Sequence, residues 1–381
     1  MPLKKKEVLF LMLNESYMRR AIELAKNGTG YVSPNPLVGA VIVKDGEVIG
    51  EGYHARCGDL HAERNALKNC KKDPAGADLY VTLEPCCHQG RTPPCTEAIL
   101  EAKIKRVIIG SRDPNPKVAG KGAAILREHG VEVFEDFLKE ECDGLNDIFF
   151  HYITTKTPYV AIKYAMTLDG KIAAVTGESK WITDVPAREH VHQLRHRYRG
   201  ILVGIGTVLK DDPMLNCRLC EGRDPVRIIC DSHLRIPMDS QIVKTAKNIP
   251  TIIACTDGDA EKRKALTEAG AELIVLPAED GHVTLKDLMI RLGEKEIDSI
   301  LAEGGGMIHY SLLKDGLAQR VYAYIAPKIF GGMGAKTPVC GAGVLHPKDA
   351  FLFRLLSTEM FGEDILLTYI KRKGGEPCSQ D

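Results

Sequence analysis

The sequence lacks a net charge, a long apolar run and a compact cysteine framework. Its 51 basic and 51 acidic side chains cancel, so no field of the whole chain draws in nucleic acid or an anionic membrane. No run of about 18 apolar residues occurs, so no transmembrane helix is predicted. The 12 cysteines are scattered over 381 residues, which favours reduced thiols and metal ligands over disulfides. We therefore expect a cytoplasmic protein without nucleic-acid or membrane partners.

The N-terminus only partly imitates a signal peptide. Three lysines precede the apolar residues 8–13, but this run is shorter than a true apolar region and no small-residue cleavage site follows it. We expect tails at residues 1–13 and 373–381. The length of the remaining chain exceeds what one core usually fills. Two domains are therefore predicted, at 14–150 and 158–372, with a linker at 151–157.

The most informative pattern combines one histidine, one glutamate and two cysteines. His61-Ala62-Glu63 is followed by Cys86 and then by Cys95. One imidazole and two thiolates occupy three positions of a tetrahedral zinc ion and leave the fourth for water, as hydrolytic sites require. Glu63 can accept a proton from that water and deliver it to a ring nitrogen and to departing ammonia. The pattern predicts a Zn2+ site with ligands His61, Cys86 and Cys95, and with Glu63 as the catalytic acid and base.

Secondary-structure signals place these residues at the ends of elements. The spacing predicts a helix over residues 15–26 and a hairpin about Asp45-Gly46, followed by alternating helices and strands. This order predicts a mixed sheet with helices on its faces. His61 and Cys95 each begin a predicted helix, and Cys86 follows a strand. These three positions can meet at one ion because ligands collect at the carboxyl edge of such sheets.

Residues near these ligands have alternative interpretations. Residue 89 is Gln where the zinc deaminase signature P-C-x-x-C has its second cysteine, so 87–92 is interpreted as a polar insertion that reaches toward substrate. Cys87 is an alternative ligand, and His88 is either a substrate contact or a further ligand. His54 is interpreted as a pocket wall, and 113–116 as a turn or as part of the site.

The second half shows a new α/β alternation but no obvious catalytic cluster. Asp184 is predicted to N-cap a helix. The motif at 204–207 lacks the third glycine of a dinucleotide fingerprint. The glycines at 304–306 lie between a predicted strand and a helix, where backbone amides can bind pyrophosphate, although a tight turn is the alternative. Cys217 and Cys220 have no second pair and no suitable histidine close in sequence, so no metal site is predicted there.

A series of motifs, in this order, resembles a known enzyme family. The motifs are His61-Ala62-Glu63 and residues 82–86, 92–95, 112–116, 179–183 and 303–305. Over residues 15–372 the chain resembles the bifunctional deaminase–reductases of riboflavin biosynthesis. The resemblance implies an α/β protein with an N-terminal, cytidine-deaminase-like three-layer domain and a C-terminal, dihydrofolate-reductase-like domain.

The resemblance also implies two reactions on a small phosphoribosylated pyrimidine. The first is hydrolytic deamination of 2,5-diamino-6-(5-phosphoribosylamino)pyrimidin-4(3H)-one. The second uses NADPH to reduce the ribosyl side chain and gives 5-amino-6-(5-phosphoribitylamino)uracil. The second reaction needs no side-chain nucleophile because the cofactor carries the hydride, which explains the missing catalytic cluster.

Further site residues follow from the resemblance alone. The implied substrate positions are Asn35, His54, His88, Ser179, Arg195, Leu215, Arg218 and Glu303. The implied NADP positions are Ala165, Trp181, Thr207, Asp211, Ser232, Gly305, Gly306 and Met307. Arg195 and Arg218 suit a phosphate group, and plain packing is the alternative for Trp181. Arg91 stands where many members have lysine, which changes the geometry of any phosphate contact. Lys163 and Asp169 match the family without a settled role.

Two other functions compete with the bifunctional enzyme. One is a single-function zinc nucleoside or tRNA deaminase whose second domain binds NADP without catalysis. The other is a zinc-stabilised, NADP-binding regulator. The neutral charge and the polar insertion argue against a nucleic-acid substrate, whereas Glu63 and a set of only three ligands argue against structural zinc. The resemblance further implies a homo-oligomer that associates through the reductase half.

Overall fold

The computed structural model describes residues 13–89, 93–115, 118–256 and 258–372. These residues fall into two compact units, which divide between Lys156 and Thr157. The predicted tails other than Leu13, and also Arg91 and Pro116, lie outside the described residues. Within the described ranges, no helix has the length and apolar character needed to span a bilayer.

The first unit is a mixed sheet with helices on both faces. Its described helices are α1 (Glu15–Lys26), α2 (Ala62–Lys68), α3 (Cys95–Glu101), α4 (Lys121–Glu128), α5 (Lys139–Asp143) and α6 (Asp147–Thr155). Its described strands are β1 (Gly39–Lys44), β2 (Glu47–Tyr53), β3 (Asp78–Leu83), β4 (Arg106–Ser111) and β5 (Glu132–Phe134). They pair in the order β2-β1-β3-β4-β5, antiparallel from β2 to β3 and parallel from β3 to β5.

Strand β1 shows how this sheet separates two apolar layers. Ala40 and Ile42 pack with side chains of α2, α3, α4 and α6 on one face. Val41 and Val43 pack with side chains of α1 and α5 on the other face. Successive side chains of a strand point to opposite faces, so a strand buried on both sides is apolar throughout. The predicted three-layer α/β architecture of the first unit is confirmed.

The predicted linker at 151–157 is wrong over most of its length. Residues up to Thr155 belong to α6, which buries Phe149 and Tyr152. Those two aromatic residues are three positions apart and therefore share one face of a helix. The polar residues His151, Thr154 and Thr155 hid this periodicity, and only Lys156, Thr157 and Pro158 remain between α6 and the next strand.

The second unit is a larger sheet whose described strands are mostly parallel. Its helices are α7 (Val185–Arg197), α8 (Ile205–Asp211), α9 (Gln241–Lys244), α10 (Ala260–Glu268), α11 (Leu285–Glu294) and α12 (Gly306–Lys314), with a 3-10 turn at Pro347–Asp349. Its strands are β6 (Tyr159–Thr167), β7 (Gly200–Gly204), β8 (Val226–Cys230), β9 (Thr251–Cys255), β10 (Glu272–Val275), β11 (Ala278–Glu279), β12 (His282–Val283), β13 (Ser299–Gly304), β14 (Ala318–Ala326), β15 (Phe353–Phe361) and β16 (Asp364–Lys371).

Strand order in the second unit is β10-β9-β8-β7-β13-β6-β14-β16-β15, with β11 and β12 forming a separate small pair. Pairing is parallel from β10 to β14 and antiparallel from β14 to β15. Strands β15 and β16 were not predicted. Strand β15 exposes both Leu355 and Leu356, so it lacks the apolar–polar alternation that identifies a half-buried strand.

Two aspartates of this unit, Asp184 and Asp169, make hydrogen bonds that hold its segments in place. Asp184 stands at the predicted N-cap of α7 but makes no side-chain cap; instead its backbone N–H donates to Asp364 Oδ2 at 2.7 Å. Asp169 accepts from the backbone N–H groups of Phe330 and Gly331. It therefore anchors a loop, which is a structural task for a residue without a settled role.

Arg227 lies fully buried in β8. Its guanidinium donates to Thr245 Oγ1 at 2.8 Å and Thr251 Oγ1 at 2.7 Å, and to the carbonyl oxygens of Ile242 at 2.9 Å and Ile249 at 3.2 Å. Burial lowers the pKa of Arg227 to about 10, so it remains charged at neutral pH. Neutral oxygens thus satisfy this buried cation, and it ties α9 to the sheet.

Candidate functional site

The three predicted zinc ligands converge at the ends of elements in the first unit. His61 is the N-cap of α2, Cys95 is the first residue of α3, and Cys86 lies shortly after β3. His61 Nδ1 is 3.4 Å from each of the two Sγ atoms, and the three ligand atoms lie within 4.8 Å of one another. One nitrogen and two sulfur donors at this spacing suit zinc and leave a coordination position open.

The local field favours a thiolate at Cys86. Hydrogen bonding from the thiol and backbone N–H of Cys95, together with His61, outweighs burial and lowers the pKa of Cys86 to about 4. The Cys95 N–H points at Cys86 Sγ from 3.4 Å. Because zinc binds the thiolate and not the thiol, a first-turn amide of α3 prepares this ligand.

Glu63 is buried in the first turn of α2. Burial, followed by the negative charge of Cys86, raises its pKa above the ordinary glutamate value. A carboxyl group whose pKa is raised accepts a proton more readily than an ordinary carboxylate does. Glu63 lies two residues after His61, and its role as the catalytic acid and base stays a prediction.

Asn35 and His54 form a polar pair beside the metal ligands. Asn35 Nδ2 lies 3.1 Å from His54 Nε2, and His54 Nδ1 lies 3.1 Å from the carbonyl oxygen of Leu60. The carbonyl can only accept, so Nδ1 carries the proton and Nε2 accepts from Asn35. Burial lowers the pKa of His54, which keeps the ring neutral. Its centroid is 5.3 Å from that of His61.

His88 is placed differently from this pair. Its Nδ1 atom is buried and has no hydrogen-bond partner among the described residues. A buried nitrogen without a partner costs free energy unless a ligand or water satisfies it. This supports a ligand contact for His88, although the adjoining residues 90–92 lie outside the described ranges.

Glu84, within the motif that ends at Cys86, acts on the scaffold. Its Oε2 atom accepts from the Gly120 N–H at 2.9 Å, and Oε1 accepts from the Ala123 N–H at 3.2 Å. These amides surround the N-terminus of α4, where a carboxylate is favourable. A Cβ atom at Gly122 would lie 2.2 Å from the Pro85 carbonyl oxygen. No local pattern predicts this cap, because its partners lie 36 and 39 residues away.

Asp113 is a second residue for which the sequence left two interpretations open, a turn or a part of the site. It is buried, and it accepts from the Asn115 N–H at 2.8 Å. Burial, with added repulsion from Glu84 and Cys86, raises the pKa of Asp113 to about 6. The described part of the segment thus contains a local hydrogen bond between Asp113 and Asn115, and it places a perturbed carboxyl in the electrostatic range of the metal ligands.

A buried charge cluster occupies the predicted substrate region of the second unit. Arg195 Nε donates to Glu303 Oε1 at 2.6 Å, and Arg195 Nη2 donates to Glu303 Oε2 at 2.9 Å. Lys163 Nζ lies 3.7 Å from Glu303 Oε2. Burial alone would raise the pKa of Glu303, but Arg195 and Lys163 outweigh it and hold the pKa at about 2. Glu303 is therefore ionised at neutral pH.

The loop after α8 joins this cluster through backbone groups. Arg195 Nη1 donates to the Asn216 carbonyl oxygen at 2.9 Å. Leu215, a predicted substrate residue, is buried with a positive φ of 51°, a conformation that side chains other than glycine rarely adopt. The Arg218 N–H donates to His192 Nδ1 at 3.2 Å, while the Arg218 side chain is exposed. Among the two predicted arginines, Arg218 is thus the more open to phosphate.

The glycine turn before α12 has a steric reason for its composition. Gly305 has φ 80°, and a Cβ atom at Gly306 would lie 2.5 Å from Cys340 Sγ. Thr207 Oγ1 would lie 2.8 Å from a Cβ atom at Gly304, so the structure brings Thr207 to the turn. Met307 follows in the first turn of α12 and is exposed.

The remaining predicted cofactor residues are less closely joined to the glycine turn. Trp181 is 57% exposed, with the Arg188 guanidinium 4.6 Å from its ring, so plain packing is the wrong interpretation of this residue. Ser232 is buried and accepts from the Val283 N–H at 3.1 Å. In the described part of the chain, no hydrogen bond joins Asp211 or Ser232 to that turn. Ala165 and Ser179 are partly exposed and lie in β6 and in the segment before α7.

Two family models match the chain, one for each half. The model described as cytidine and deoxycytidylate deaminase zinc-binding region matches residues 12–111. The model described as RibD C-terminal domain matches residues 158–367. A curated relative, the riboflavin biosynthesis protein RibD of Actinobacillus pleuropneumoniae, is 56% identical over 359 residues, which cover 94% of this chain and 96% of the relative.

Solved structures show the same similarity. RibD of Acinetobacter baumannii, form 1, is 36% identical with a TM-score of 0.84, over 94% of this chain and 99% of that chain. A Thermotoga maritima protein is 41% identical with a TM-score of 0.82, over 94% of this chain and 98% of that chain. The latter is named a diaminohydroxyphosphoribosylaminopyrimidine deaminase/5-amino-6-(5-phosphoribosylamino)uracil reductase. The likeness therefore covers both units in one chain.

Proposed function

Since the chain belongs to the RibD family of bifunctional riboflavin-biosynthesis deaminase–reductases, we propose substrates for its two activities and roles for its residues. The first unit deaminates 2,5-diamino-6-(5-phosphoribosylamino)pyrimidin-4(3H)-one. The second uses NADPH to reduce the product to 5-amino-6-(5-phosphoribitylamino)uracil. The observation that carries this proposal is the presence, in one chain, of the His61–Cys86–Cys95 triad with Glu63 and of the buried Glu303–Arg195 pair.

In the first unit, His61, Cys86 and Cys95 would hold Zn2+, which when bound supplies an activated water near neutral pH. Glu63 would carry one proton from the attacking water to the pyrimidine ring, and then a second proton from the added hydroxyl group to the leaving amine. The neutral His54 ring is fixed by Leu60 and orients Asn35. Asn35 and His88 then bind the polar edges of the pyrimidine.

In the second unit, protein groups bind and orient while the nicotinamide supplies the hydride. The exposed guanidinium of Arg218 binds the substrate phosphate, because arginine matches phosphate oxygens with paired N–H donors. Glu303, held ionised by Arg195 and Lys163, accepts from hydroxyl groups of the ribosyl chain. Arg195 is engaged by Glu303 and Asn216, so we assign it mainly to positioning Glu303.

The NADPH site is proposed at the glycine turn and its surroundings. The amides of Gly305, Gly306 and Met307 at the N-terminus of α12 suit a pyrophosphate, and Thr207 adds a hydroxyl beside them. The exposed ring of Trp181 offers an apolar surface for the nicotinamide. Ala165, Asp211 and Ser232 complete the proposed set. The choice of NADPH over NADH rests on the family.

The direct test incubates the zinc-loaded chain with the diaminopyrimidine phosphate, with and without NADPH, and follows the products by mass. Deamination without NADPH, and two additional hydrogen atoms with it, are expected. Deamination followed by no reduction with NADPH would favour the single-function deaminase. A chain that performs neither reaction while it retains zinc would contradict the proposal.

A homo-oligomer is also proposed, through the edge of the second sheet. Strand β15 is the last described strand of that sheet and exposes Leu355, Leu356 and Met360. An exposed apolar edge strand normally requires a partner. Sedimentation of wild-type and Leu356→Lys chains tests this, because the substitution should lower the molecular mass of the assembly. A monomeric wild-type chain at micromolar concentration would contradict it. A cytoplasmic location stays a prediction.

A further inference from the structure

Cys217 and Cys220 form a close pair of thiols in the loop between α8 and β8. Their Sγ atoms lie 3.2 Å apart, and both residues are partly exposed. A disulfide bond measures about 2.0 Å, so an approach of little more than 1 Å would close it. Among the described residues, no group of three or more metal-ligating side chains includes this pair.

The two thiols differ in their surroundings. Cys217 is held from both sides, because its N–H donates to Asp224 Oδ1 at 2.7 Å and its Sγ lies 3.4 Å from the His192 carbonyl oxygen. Cys220 is followed by the exposed residues Glu221 and Gly222. Cys217 is therefore held in place by its neighbours, and Cys220 adjoins an exposed stretch of the loop.

Residues between and beside these thiols belong to the proposed reductase site. Arg218 lies inside the pair, and its guanidinium donates to Asn216 Oδ1 at 3.2 Å. Its backbone N–H donates to His192 Nδ1. The carbonyl oxygen of Asn216 accepts from Arg195. A covalent bond across this short loop would therefore change the backbone that carries the proposed phosphate-binding residue.

We propose that Cys217 and Cys220 are a modification site, which closes to an intramolecular disulfide on exposure to a low-molecular-weight disulfide such as oxidised glutathione. Closure displaces Arg218 and weakens substrate binding in the second unit. The covalent half of this proposal is independent of the activity of the protein. The effect on binding rests on the proposed reductase function.

The reaction balances through two exchange steps. Cys220, as a thiolate, attacks one sulfur of oxidised glutathione, breaks its S–S bond and releases one glutathione thiolate. Cys217 then loses its proton to solvent as its sulfur attacks Cys220 Sγ, and the second glutathione thiolate leaves. Two protein thiols are oxidised, and one glutathione disulfide is reduced to two thiols. Burial, with the hydrogen bond to Cys220, raises the pKa of Cys217 to about 12, so Cys217 is the later of the two to react.

A peptide map can identify this disulfide without ambiguity among 12 cysteines. Trypsin cleaves after Lys210, Arg218 and Arg223, so Cys217 and Cys220 fall on different peptides, 211–218 and 219–223. The full, zinc-loaded chain is equilibrated in glutathione buffers of increasing oxidised fraction, alkylated and digested. The two peptides should appear joined, at a mass two hydrogen atoms below their sum, and should separate on reduction.

Two variants distinguish closure from simple thiol reactivity. Cys217→Ser should retain a stable glutathione adduct on Cys220, since no second thiol can displace it. Cys220→Ser should give no linked peptides. If the wild-type peptides are recovered separately alkylated, or if Cys220 of the wild type keeps its glutathione, the proposed disulfide is wrong.

Activity measurements test the second half of the proposal. Oxidation should lower kcat/KM for NADPH-dependent reduction about tenfold, mainly through KM, because one charge-assisted phosphate contact is displaced. A reductant should restore kcat/KM, and the Cys220→Ser variant should keep its kcat/KM under oxidation. Ammonia release and zinc content should not change. Linked peptides with unchanged reduction would overturn the functional half. If the protein with free thiols does not reduce the substrate at all, the reductase assignment is wrong. The peptide map still shows whether the disulfide forms.

Discussion

The two units of this chain use different kinds of chemical groups at their sites. The first gathers a histidine, two cysteines and a buried glutamate at the ends of elements. The second buries Glu303 against Arg195 and presents glycine amides before α12. Where the protein itself supplies ligands and a proton carrier, the residues form a compact motif. Where a cofactor brings the reactive hydride, the protein supplies position and charge, and the residues are spread along the chain.

A second difference makes the units separately observable. The only tryptophan, Trp181, belongs to the second unit and is exposed. Its fluorescence therefore reports unfolding in that unit alone. Zinc content and ammonia release report the first. The comparison can be tested with these two independent signals.

The largest expected effect follows from removal of the proposed proton carrier in the first unit, Glu63. Glu63→Gln should reduce ammonia release about a thousandfold, because a positioned acid and base contributes on the order of a hundredfold to ten-thousandfold. Zinc content, and NADPH-dependent reduction of substrate that is already deaminated, should persist. Both are measured on the same preparation. Loss of reduction as well would mean that the two units do not work independently.

The matching change in the second unit is Glu303→Gln, which keeps the shape of the side chain but removes its charge. Arg195 and Lys163 are then left buried without their counter-ion, so reduction should fall about a hundredfold. Ammonia release should stay within a factor of about two of the wild-type rate, because Glu303 lies in the other unit. Steady-state kinetics of both reactions decide this. An equal fall in the two activities would argue against separate sites.

Arg227 provides a stability test of the second unit. Arg227→Met leaves carbonyl and hydroxyl oxygens around β8 without their donor, and we expect a loss of about 3 kcal/mol in the free energy of unfolding. Urea unfolding followed by Trp181 fluorescence measures it. Arg291→Met, at an exposed arginine of α11 in the same unit, is the matched control and should change stability by less than about 0.5 kcal/mol. Similar losses in both variants would contradict the assigned role.

The smallest expected effect is a pH dependence from His192. Burial, with the charges of Arg195 and Arg218, lowers its pKa from 6.5 to about 4. A histidine whose folded-state pKa lies below its unfolded-state value stabilises the fold fully above pH 6.5, and this contribution is lost as the pH falls toward 4. Between about pH 7.5 and about pH 5.5 the wild-type second unit should lose about 1 kcal/mol more than His192→Asn.

The same urea titrations at both pH values measure this difference, with His346→Asn as the control at an exposed position. The control should follow the wild type. If His192→Asn loses as much stability as the wild type over this interval, the histidine does not titrate as its burial implies.

Sequence alone predicted the zinc triad because its members lie at the starts or ends of strong helix and strand signals. It predicted β1 and α1 for the same reason, since their apolar periodicity is regular. It missed α6, β15 and β16, where polar residues interrupt the period or apolar residues face solvent. Such elements take their stability from tertiary neighbours, which a local window does not contain.

Long-range pairs were beyond prediction for a related reason. Arg195 and Glu303 are 108 residues apart, and nothing in either local sequence names the other. Only the family resemblance assigned both to one substrate site. The structure supplies the physical link, a bidentate ion pair between the last turn of α7 and the end of β13.

Gly122 shows how the zinc site constrains a residue that contacts no ligand. Any side chain there would strike the Pro85 carbonyl oxygen, one residue before Cys86, while Glu84 binds the amides on either side of it. Substitution at position 122 is therefore restricted by the lack of space for a side chain and not by contact with a ligand. Among relatives, this glycine should be retained as faithfully as the cysteines, and an engineer who transplants the zinc loop into another scaffold must transplant the start of α4 with it.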